Sequence, residues 1–356
     1  MVDKRVWNQP PSRIPSLDGM RAVSIGLVIV FHIVGMVPFG GALSNLGNLG
    51  VRVFFVISGF LITGLLLQEQ DRIGTIALGR FYARRTLRIF PAFYLFLAVI
   101  GICAAAGWIA LHKFELLQAA LYIMNYFPGL QQSRYVKHLW SLSVEEQFYL
   151  LWPSVLAFAG RRRGLMIAAA FILIAPVLRL TYWFFVPQMH EVMDRRFETV
   201  GDALATGCVL AGAQTWLASK TRYNQFLLSA VFYIVPLLVF LDSVYLSPHP
   251  RAFYGIGVTI LNVGIALCID RWVRYPQGVA AAVLNSAPLR AIGVLSYSIY
   301  LWQQPFLDSE GDTPFSWLPL NLLAVAACSL GSFFLIEQPF QRLRSRLSPR
   351  SARLSV

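Results

Sequence analysis

Long apolar stretches separated by short, basic connecting segments recur along the whole chain. A helix needs about 20 mainly apolar residues to cross the hydrocarbon core of a bilayer. Ten stretches approach that length, and they are residues 20–38, 50–68, 89–108, 142–160, 164–186, 199–217, 226–244, 252–270, 288–306 and 317–337. An eleventh, residues 114–124, is too short, and we expect an interfacial or re-entrant helix there. The pattern predicts an all-α integral membrane protein with about ten transmembrane helices.

The composition agrees with a membrane protein. Of the 356 residues, 57% are hydrophobic and only 13% are charged, which is about half the charged share of a soluble protein. A soluble fold of this length buries only roughly 75% of its surface, so it could not hide this much apolar area. A soluble enzyme, a disordered chain and a coiled coil are therefore excluded.

The net charge of +13 would suggest nucleic acid in a soluble protein. In a membrane protein, however, Lys and Arg collect in cytoplasmic loops. With the amino terminus in the cytoplasm, 22 of the 30 Lys and Arg residues fall on the cytoplasmic side, seven fall outside, and Arg179 lies inside a span. This bias predicts that both termini are cytoplasmic, and it removes the reason to expect a nucleic-acid partner.

The chain divides into three predicted segments. Residues 1–19 form a cytoplasmic segment, residues 20–340 form the membrane domain, and residues 341–356 form a basic cytoplasmic tail that is suited to anionic lipids. The first apolar stretch is longer than the core of a signal peptide, so we expect it to be retained. The four cysteines and five histidines show no metal-binding spacing, and we expect neither a metal nor a permanently bound cofactor.

His32 is the leading catalytic candidate because it lies in an otherwise apolar helix, AVSIGLVIVFHIVGMV. An ionisable group at such a position costs roughly 2.5–3.5 kcal/mol on insertion, which makes it a functional candidate. Arg21 precedes it by eleven residues, so the two share one helix face about 16 Å apart. A desolvated, neutral imidazole is suited to act as a general base. The alternative is a histidine that bonds a backbone carbonyl in helix packing.

Arginines crowd the start of the third apolar stretch, in the run FYARRTLRIFPAFY. Arg85 and Arg88 are three residues apart and share a helix face, with Arg84 adjacent. Guanidinium groups hold phosphates through paired hydrogen bonds, so this predicted cytoplasmic mouth suits a polyanionic donor such as acyl-CoA. The alternative is a cluster that serves orientation in the membrane alone.

A polar stripe follows the fourth stretch, in the run HLWSLSVEEQFYLLWP. Ser141, Glu145 and Tyr149 recur every four residues and therefore share a face. A carboxylate in an apolar helix needs a partner, and we expect Arg179 to pair with Glu145. Glu145 then forms a structural salt bridge, or it orients His32 or binds an acceptor hydroxyl.

The sequence resembles the acyltransferase 3 family of integral-membrane O-acyltransferases over nearly its whole length. The hallmark of that family, a basic residue followed after ten residues by histidine, falls on Arg21 and His32. Its RxxR motif falls on Arg85 and Arg88, and its acidic position falls on Glu145. The matching runs are SLDGMRAVSIGLVIVFH, GVRVFFVISGFLIT, FYARRTLRIFPAFY, HLWSLSVEEQFYLLWP, VGDALATGCVLA, LSYSIYLWQQP and IEQPF.

The resemblance implies transfer of an acyl group, commonly acetyl, from cytosolic acyl-CoA to a hydroxyl of an extracytoplasmic or lipid-linked glycan at the bacterial inner membrane. It implies that His32 is catalytic, as a general base or through an acyl-histidine intermediate, with Arg21 and Glu145 assisting. Arg85 and Arg88 would lie at the donor end. The candidates for lining the acceptor pocket are Ser141, Tyr149, Arg179, Asp202 and Tyr297.

The chain departs from the family pattern at two positions. Gln303 stands where many members carry histidine, so we assign it no acid–base role. Gly201 stands where an arginine often precedes the aspartate, which weakens the expectation of an ion pair at Asp202. Some relatives carry an added esterase-like domain. None is visible in these 356 residues, so we expect such a step to need a partner. The rival interpretation is a transporter or flippase of a lipid-linked saccharide, although the internal repeats typical of transporters are not evident.

Overall fold

The computed structural model describes residues 14–35, 45–128, 132–246, 248–307 and 317–346. Its helices, in chain order, are α1 (Pro15–Gly35), α2 (Leu46–Ile73), α3 (Leu78–Ala105), α4 (Glu115–Ala120), α5 (Leu139–Phe185), α6 (Asp202–Ala218), α7 (Thr221–Leu228), α8 (Ile234–Leu241), α9 (Val258–Arg274), α10 (Val279–Leu284), α11 (Ala287–Gln303), α12 (Leu320–Ser332) and α13 (Gln338–Arg346). Short helical turns join several of them, and no strand occurs in these ranges. Most of the predicted terminal segments, residues 1–13 and 347–356, lies outside the described residues.

Six helices are long and apolar enough to cross a membrane, or seven if the bent pair Thr221–Leu228 and Ala230–Leu246 forms one span. The difference from ten has identifiable causes. Helix α5 runs for 47 residues across a break at Gly160, where φ is 77°, and so contains two of the predicted stretches. Helices α6 and α11 have 17 residues each, just short of a full span. The fold is that of a multi-pass, all-α protein, whereas ten spans and their orientation remain a prediction.

Large apolar side chains on the outside of the bundle agree with a lipid environment. Phe158, Phe185 and Leu335 are 83%, 79% and 75% exposed. An apolar surface of this kind is unusual on a water-soluble monomer. The predicted interfacial stretch contains only the six-residue helix α4, which is too short to span a bilayer.

Glycines bring the central helices into close contact. A Cβ atom at Gly59 on α2 would overlap the carbonyl oxygen of Leu204 on α6, and one at Gly207 would overlap that of Val56. Small residues permit such backbone approach in membrane bundles. Helix α1 packs against α2 and α11, where Gly293 lies directly against the backbone of Asp18. This packing covers about half of α1, which carries both Arg21 and His32, while Val23 and Val30 stay exposed.

Candidate functional site

The imidazole of His32 is held by its own helix. Its Nδ1 atom lies 2.7 Å from the carbonyl oxygen of Val28, so Nδ1–H donates there and the lone pair of the neutral ring lies on Nε2. His138, which directly precedes α5, lies within electrostatic range of His32. The backbone contact fixes the tautomer that a general base requires, so the carbonyl-bonded alternative and the catalytic interpretation are compatible.

Arg21, Arg85 and Arg88 form one basic cluster. Arg88 lies within electrostatic range of both Arg85 and Arg21, although the last two belong to different helices, α3 and α1. Arg21 also contacts Asp18 at 3.4 Å. Arg344 also lies within electrostatic range of Arg88, and the carboxylates of Glu146 and Glu337 lie within range of Arg85 and Arg88. A group of guanidinium groups of this kind attracts a polyanion. The structure therefore joins the arginine of the basic–histidine motif to the RxxR pair.

Arg84 is directed differently from its neighbours. Its guanidinium group lies 3.8 Å from the carboxylate of Glu69 on α2, so a carboxylate close by partly balances its charge. The expectation that Arg84 assists donor binding stays a prediction, whereas the geometry favours a link between α2 and α3.

Glu145 lies at the centre of a network that reaches the basic cluster. Ser58 Oγ on α2 and Tyr149 OH on α5 both donate to Glu145 Oε1, and Tyr149 OH also lies 3.1 Å from Ser58 Oγ. The guanidinium carbon of Arg85 lies 4.1 Å from the centroid of the Tyr149 ring, a cation–π geometry. The predicted stripe thus carries a hydrogen-bonded carboxylate whose network touches a donor-end arginine.

The predicted ion pair between Glu145 and Arg179 is wrong. Arg179 Nη1 pairs with Asp202 Oδ2 at 2.8 Å, with both side chains almost fully buried. Further hydrogen bonds from Arg179 reach Tyr254 O, Thr199 O and Thr259 Oγ1. Gly201, in place of an arginine, had weakened the expectation of an ion pair at Asp202, but Asp202 does form one, with Arg179. Because the donors of Arg179 are used within the protein, the pair joins α5, α6 and the start of α9.

Two other pocket candidates connect helices. Ser141 Oγ lies 2.5 Å from Tyr300 OH, and Tyr300 donates to the carbonyl oxygen of His138 at 3.0 Å. Tyr297 OH donates to the backbone carbonyl of Ile89 at 3.0 Å. These bonds fix α11 against α5 and α3, so Ser141 and Tyr297 have structural partners in addition to any role towards a substrate.

The sequence reasoning missed two ionisable residues, His138, which is buried, and Glu146, which is half-buried. His138 Nε2 lies 3.2 Å from Leu301 O, and burial together with nearby His32 lowers the pKa of His138 to about 3, so it stays neutral. Glu146 lies within electrostatic range of Arg85 and Glu145. Both residues stand in the same run as the predicted stripe, and their charge within an apolar sequence was the available signal.

Among the residues that the structure describes, no three His, Cys, Asp or Glu side chains are grouped so that they could hold a metal ion. The four cysteines are unpaired, and two of them, Cys208 and Cys268, are buried in helix packing.

Comparison of the sequence with known proteins points to one family. Residues 14–338 match the acyltransferase 3 model, described as an acyltransferase domain. The chain is 31% identical over 369 residues to the O-acetyltransferase OatA of Staphylococcus aureus, covering 93% of this chain and 58% of that protein. It is 27% identical to the peptidoglycan O-acetyltransferase OatA of Listeria monocytogenes, covering 95% and 57%. It is 29% identical to the putative peptidoglycan O-acetyltransferase YrhL of Bacillus subtilis, covering 92% and 55%.

The chain thus spans less than two thirds of the length of each of these relatives. No solved structure matches the chain significantly.

Proposed function

The chain belongs to the acyltransferase 3 family, and on this premise we propose that it is a membrane O-acetyltransferase. The donor is acetyl-CoA from the cytosol, and the acceptor is a hydroxyl of a cell-envelope glycan such as peptidoglycan, free or lipid-linked. We place the protein in the bacterial cytoplasmic membrane with ten spans and both termini inside. The names of the relatives support the acetyl group and the glycan class.

The observation that carries the proposal is the arrangement on α1. Arg21 joins the basic cluster near one end of the helix, and His32 presents a fixed tautomer near the other. Eleven residues separate them, which is about 16 Å along the axis. A phosphate-rich donor bound by the cluster can therefore extend its thioester towards His32.

The chemical step is an acyl transfer from sulfur to oxygen. His32 Nε2 takes the proton of the acceptor hydroxyl while the hydroxyl oxygen attacks the thioester carbonyl. The carbon–sulfur bond then breaks, and the thiolate of CoA takes up a proton from the imidazolium. A route through an acyl-histidine gives the same products in two steps and would produce a burst of free CoA. The Glu145 network positions Tyr149 and Arg85 beside this path.

Transfer in sealed vesicles tests the proposal and separates it from transport. Vesicles that contain the protein in one orientation receive acetyl-CoA labelled in the acetyl group on the side of the basic cluster and glycan on the other side. We expect covalent label on the glycan and release of free CoA. A flippase would move saccharide without labelling it, and unlabelled glycan from active, correctly folded protein would contradict the proposal.

A further inference from the structure

Arg52, on the first turns of α2, is a buried cation without an ion pair. It is 6% exposed, and its Nη1 atom is buried without a hydrogen-bond partner. None of the carboxylates in the described ranges lies within 4.0 Å of it. A buried charge without a contacting counter-ion is costly inside a membrane protein and is a functional-site candidate by default.

Three acidic side chains lie around Arg52, and none of them contacts it. Asp202 and Asp194 are within its electrostatic range, but Asp202 pairs with Arg179 at 2.8 Å and Asp194 lies 3.8 Å from Arg195. Asp242 is also in range without making contact. Arg179, a like charge, also lies within electrostatic range of Arg52 and opposes the effect of these carboxylates. Within the described residues, Arg52 and Asp242 are thus the two charges of this group without an ion pair, and Asp242 Oδ2 is also buried without a hydrogen-bond partner.

Arg52 faces a small cavity that it lines together with Asn48, Trp140 and Asp194. The cavity has room for little more than a water-sized group, so it suits the terminal oxygens of a substituent rather than a whole sugar ring. Nearby Arg195 also has a buried Nη1 atom without a partner. Unused guanidinium donors of this kind match an oxyanion, which accepts charge-assisted hydrogen bonds.

The cavity lies towards the end of the bundle that contains His32. Gly47, five residues before Arg52, packs against Phe31, the neighbour of His32. Trp140 follows His138 by two residues, and His138 lies within electrostatic range of His32. An acceptor group held at Arg52 is thus on the side of the bundle where the acceptor hydroxyl must arrive.

We propose that Arg52, with Asn48 beside it, binds a carboxylate or phosphate oxygen of the acceptor while His32 receives the reacting hydroxyl. This inference rests on the proposed function and adds an anionic acceptor to it. The oxyanion belongs either to a carboxylate on the glycan or to the phosphate of a lipid carrier, since both offer the same oxygens to a guanidinium group.

The test compares acceptors that carry the anion on the glycan, on a lipid carrier or not at all, using labelled acetyl-CoA and protein in vesicles. The acceptors are glycan strands with free carboxylates, the same strands with the carboxylates amidated, and a lipid diphosphate-linked saccharide with neutral sugars. The variants are Arg52→Gln, Arg52→Lys and, as the control, Arg251→Gln, since Arg251 is exposed and contacts Phe184.

We expect Arg52→Gln to lower kcat/KM for an anionic acceptor by about 10- to 150-fold, the range for a charge-assisted hydrogen bond. Transfer to the amidated strand and all activities of Arg251→Gln should be unchanged, and Arg52→Lys should retain part of the preference. If Arg52→Gln loses kcat/KM on the strand with free carboxylates, the bound group is the glycan carboxylate. If it loses kcat/KM on the lipid-linked saccharide alone, the bound group is the phosphate.

Equal loss on all acceptors, or no loss, would overturn the inference. If Arg52→Gln does not fold, the acceptor preference of the wild-type protein provides the test. We expect the wild type to acetylate an anionic acceptor with a higher kcat/KM than the amidated strand. A wild-type protein without that preference contradicts the anion site while leaving acetyl transfer intact. A wild-type protein that labels none of the acceptors contradicts the proposed function itself.

Discussion

Replacing Asp202 by asparagine removes the carboxylate that balances Arg179 inside the bundle. The two side chains are 0% and 1% exposed, and Arg179 Nη1 lies 2.8 Å from Asp202 Oδ2. Asparagine retains an acceptor oxygen at nearly the same position, so the change removes charge with little change of shape. Removing one partner of a buried ion pair costs about 3–5 kcal/mol, because the other charge stays buried. We expect Asp202→Asn to lose stability by that amount.

Thermal unfolding in detergent, followed with a thiol-reactive dye, measures this loss. Cys208 and Cys268 are buried, so they react when the bundle opens. The matched control is Asp71→Asn, because Asp71 pairs with Arg161 at 3.6 Å on the exposed surface, where an ion pair is worth about 0–1 kcal/mol. We expect a clear fall in the unfolding temperature for Asp202→Asn and little change for the control.

A double variant separates a structural role from a functional one. Replacing Arg179 by Met and Asp202 by Leu removes both charges, and well-packed apolar pairs often match or exceed the buried ion pair that they replace. The double variant should therefore recover most of the lost stability. If Asp202→Asn instead keeps its unfolding temperature but loses transfer, the pair acts on the substrate and our structural interpretation is wrong.

Two further substitutions test the donor end and the packing. The double variant Arg85→Gln, Arg88→Gln should raise the KM for acetyl-CoA by about tenfold or more, because charge-assisted hydrogen bonds are lost. In a two-substrate assay the KM for the acceptor should stay unchanged. An effect on the acceptor KM alone would contradict the donor-end assignment. Gly59→Ala should lower the unfolding temperature, because its methyl group would overlap the Leu204 carbonyl and overpacking costs about 1–3 kcal/mol. Gly26→Ala, where a Cβ meets no atom within 4 Å, is the matched control, and equal unfolding temperatures would refute the proposed close contact.

Sequence spacing was sufficient for the polar stripe on α5. The four-residue spacing predicted that Glu145 and Tyr149 share a face, and the two are hydrogen-bonded. Apolar stretch length likewise placed most helices, because hydrophobic length is what a bilayer selects. The boundary predicted between residues 142–160 and 164–186 falls at the break in α5, where Gly160 has the non-helical values φ 77° and ψ 167° that glycine adopts readily.

Contacts between helices could not be predicted in the same way. Arg179 was assigned to Glu145, but α5 packs against α6 and brings Arg179 to Asp202. Arg52 was counted only as a charge outside the membrane, whereas it is buried beside three acidic residues. Which carboxylate an arginine meets depends on how separate helices pack, and a single sequence carries no direct record of that packing.

The rate of acetyl transfer by His32→Ala tests the central claim most directly. The variant is compared in vesicles with the wild type and with His112→Ala, which changes an exposed histidine in the connection before α4. General-base assistance is typically worth about 10²- to 10⁴-fold. We therefore predict a fall of that size for His32→Ala, with the unfolding temperature and the KM for acetyl-CoA retained, and full activity for His112→Ala. Transfer at the wild-type rate by folded His32→Ala protein would contradict the account.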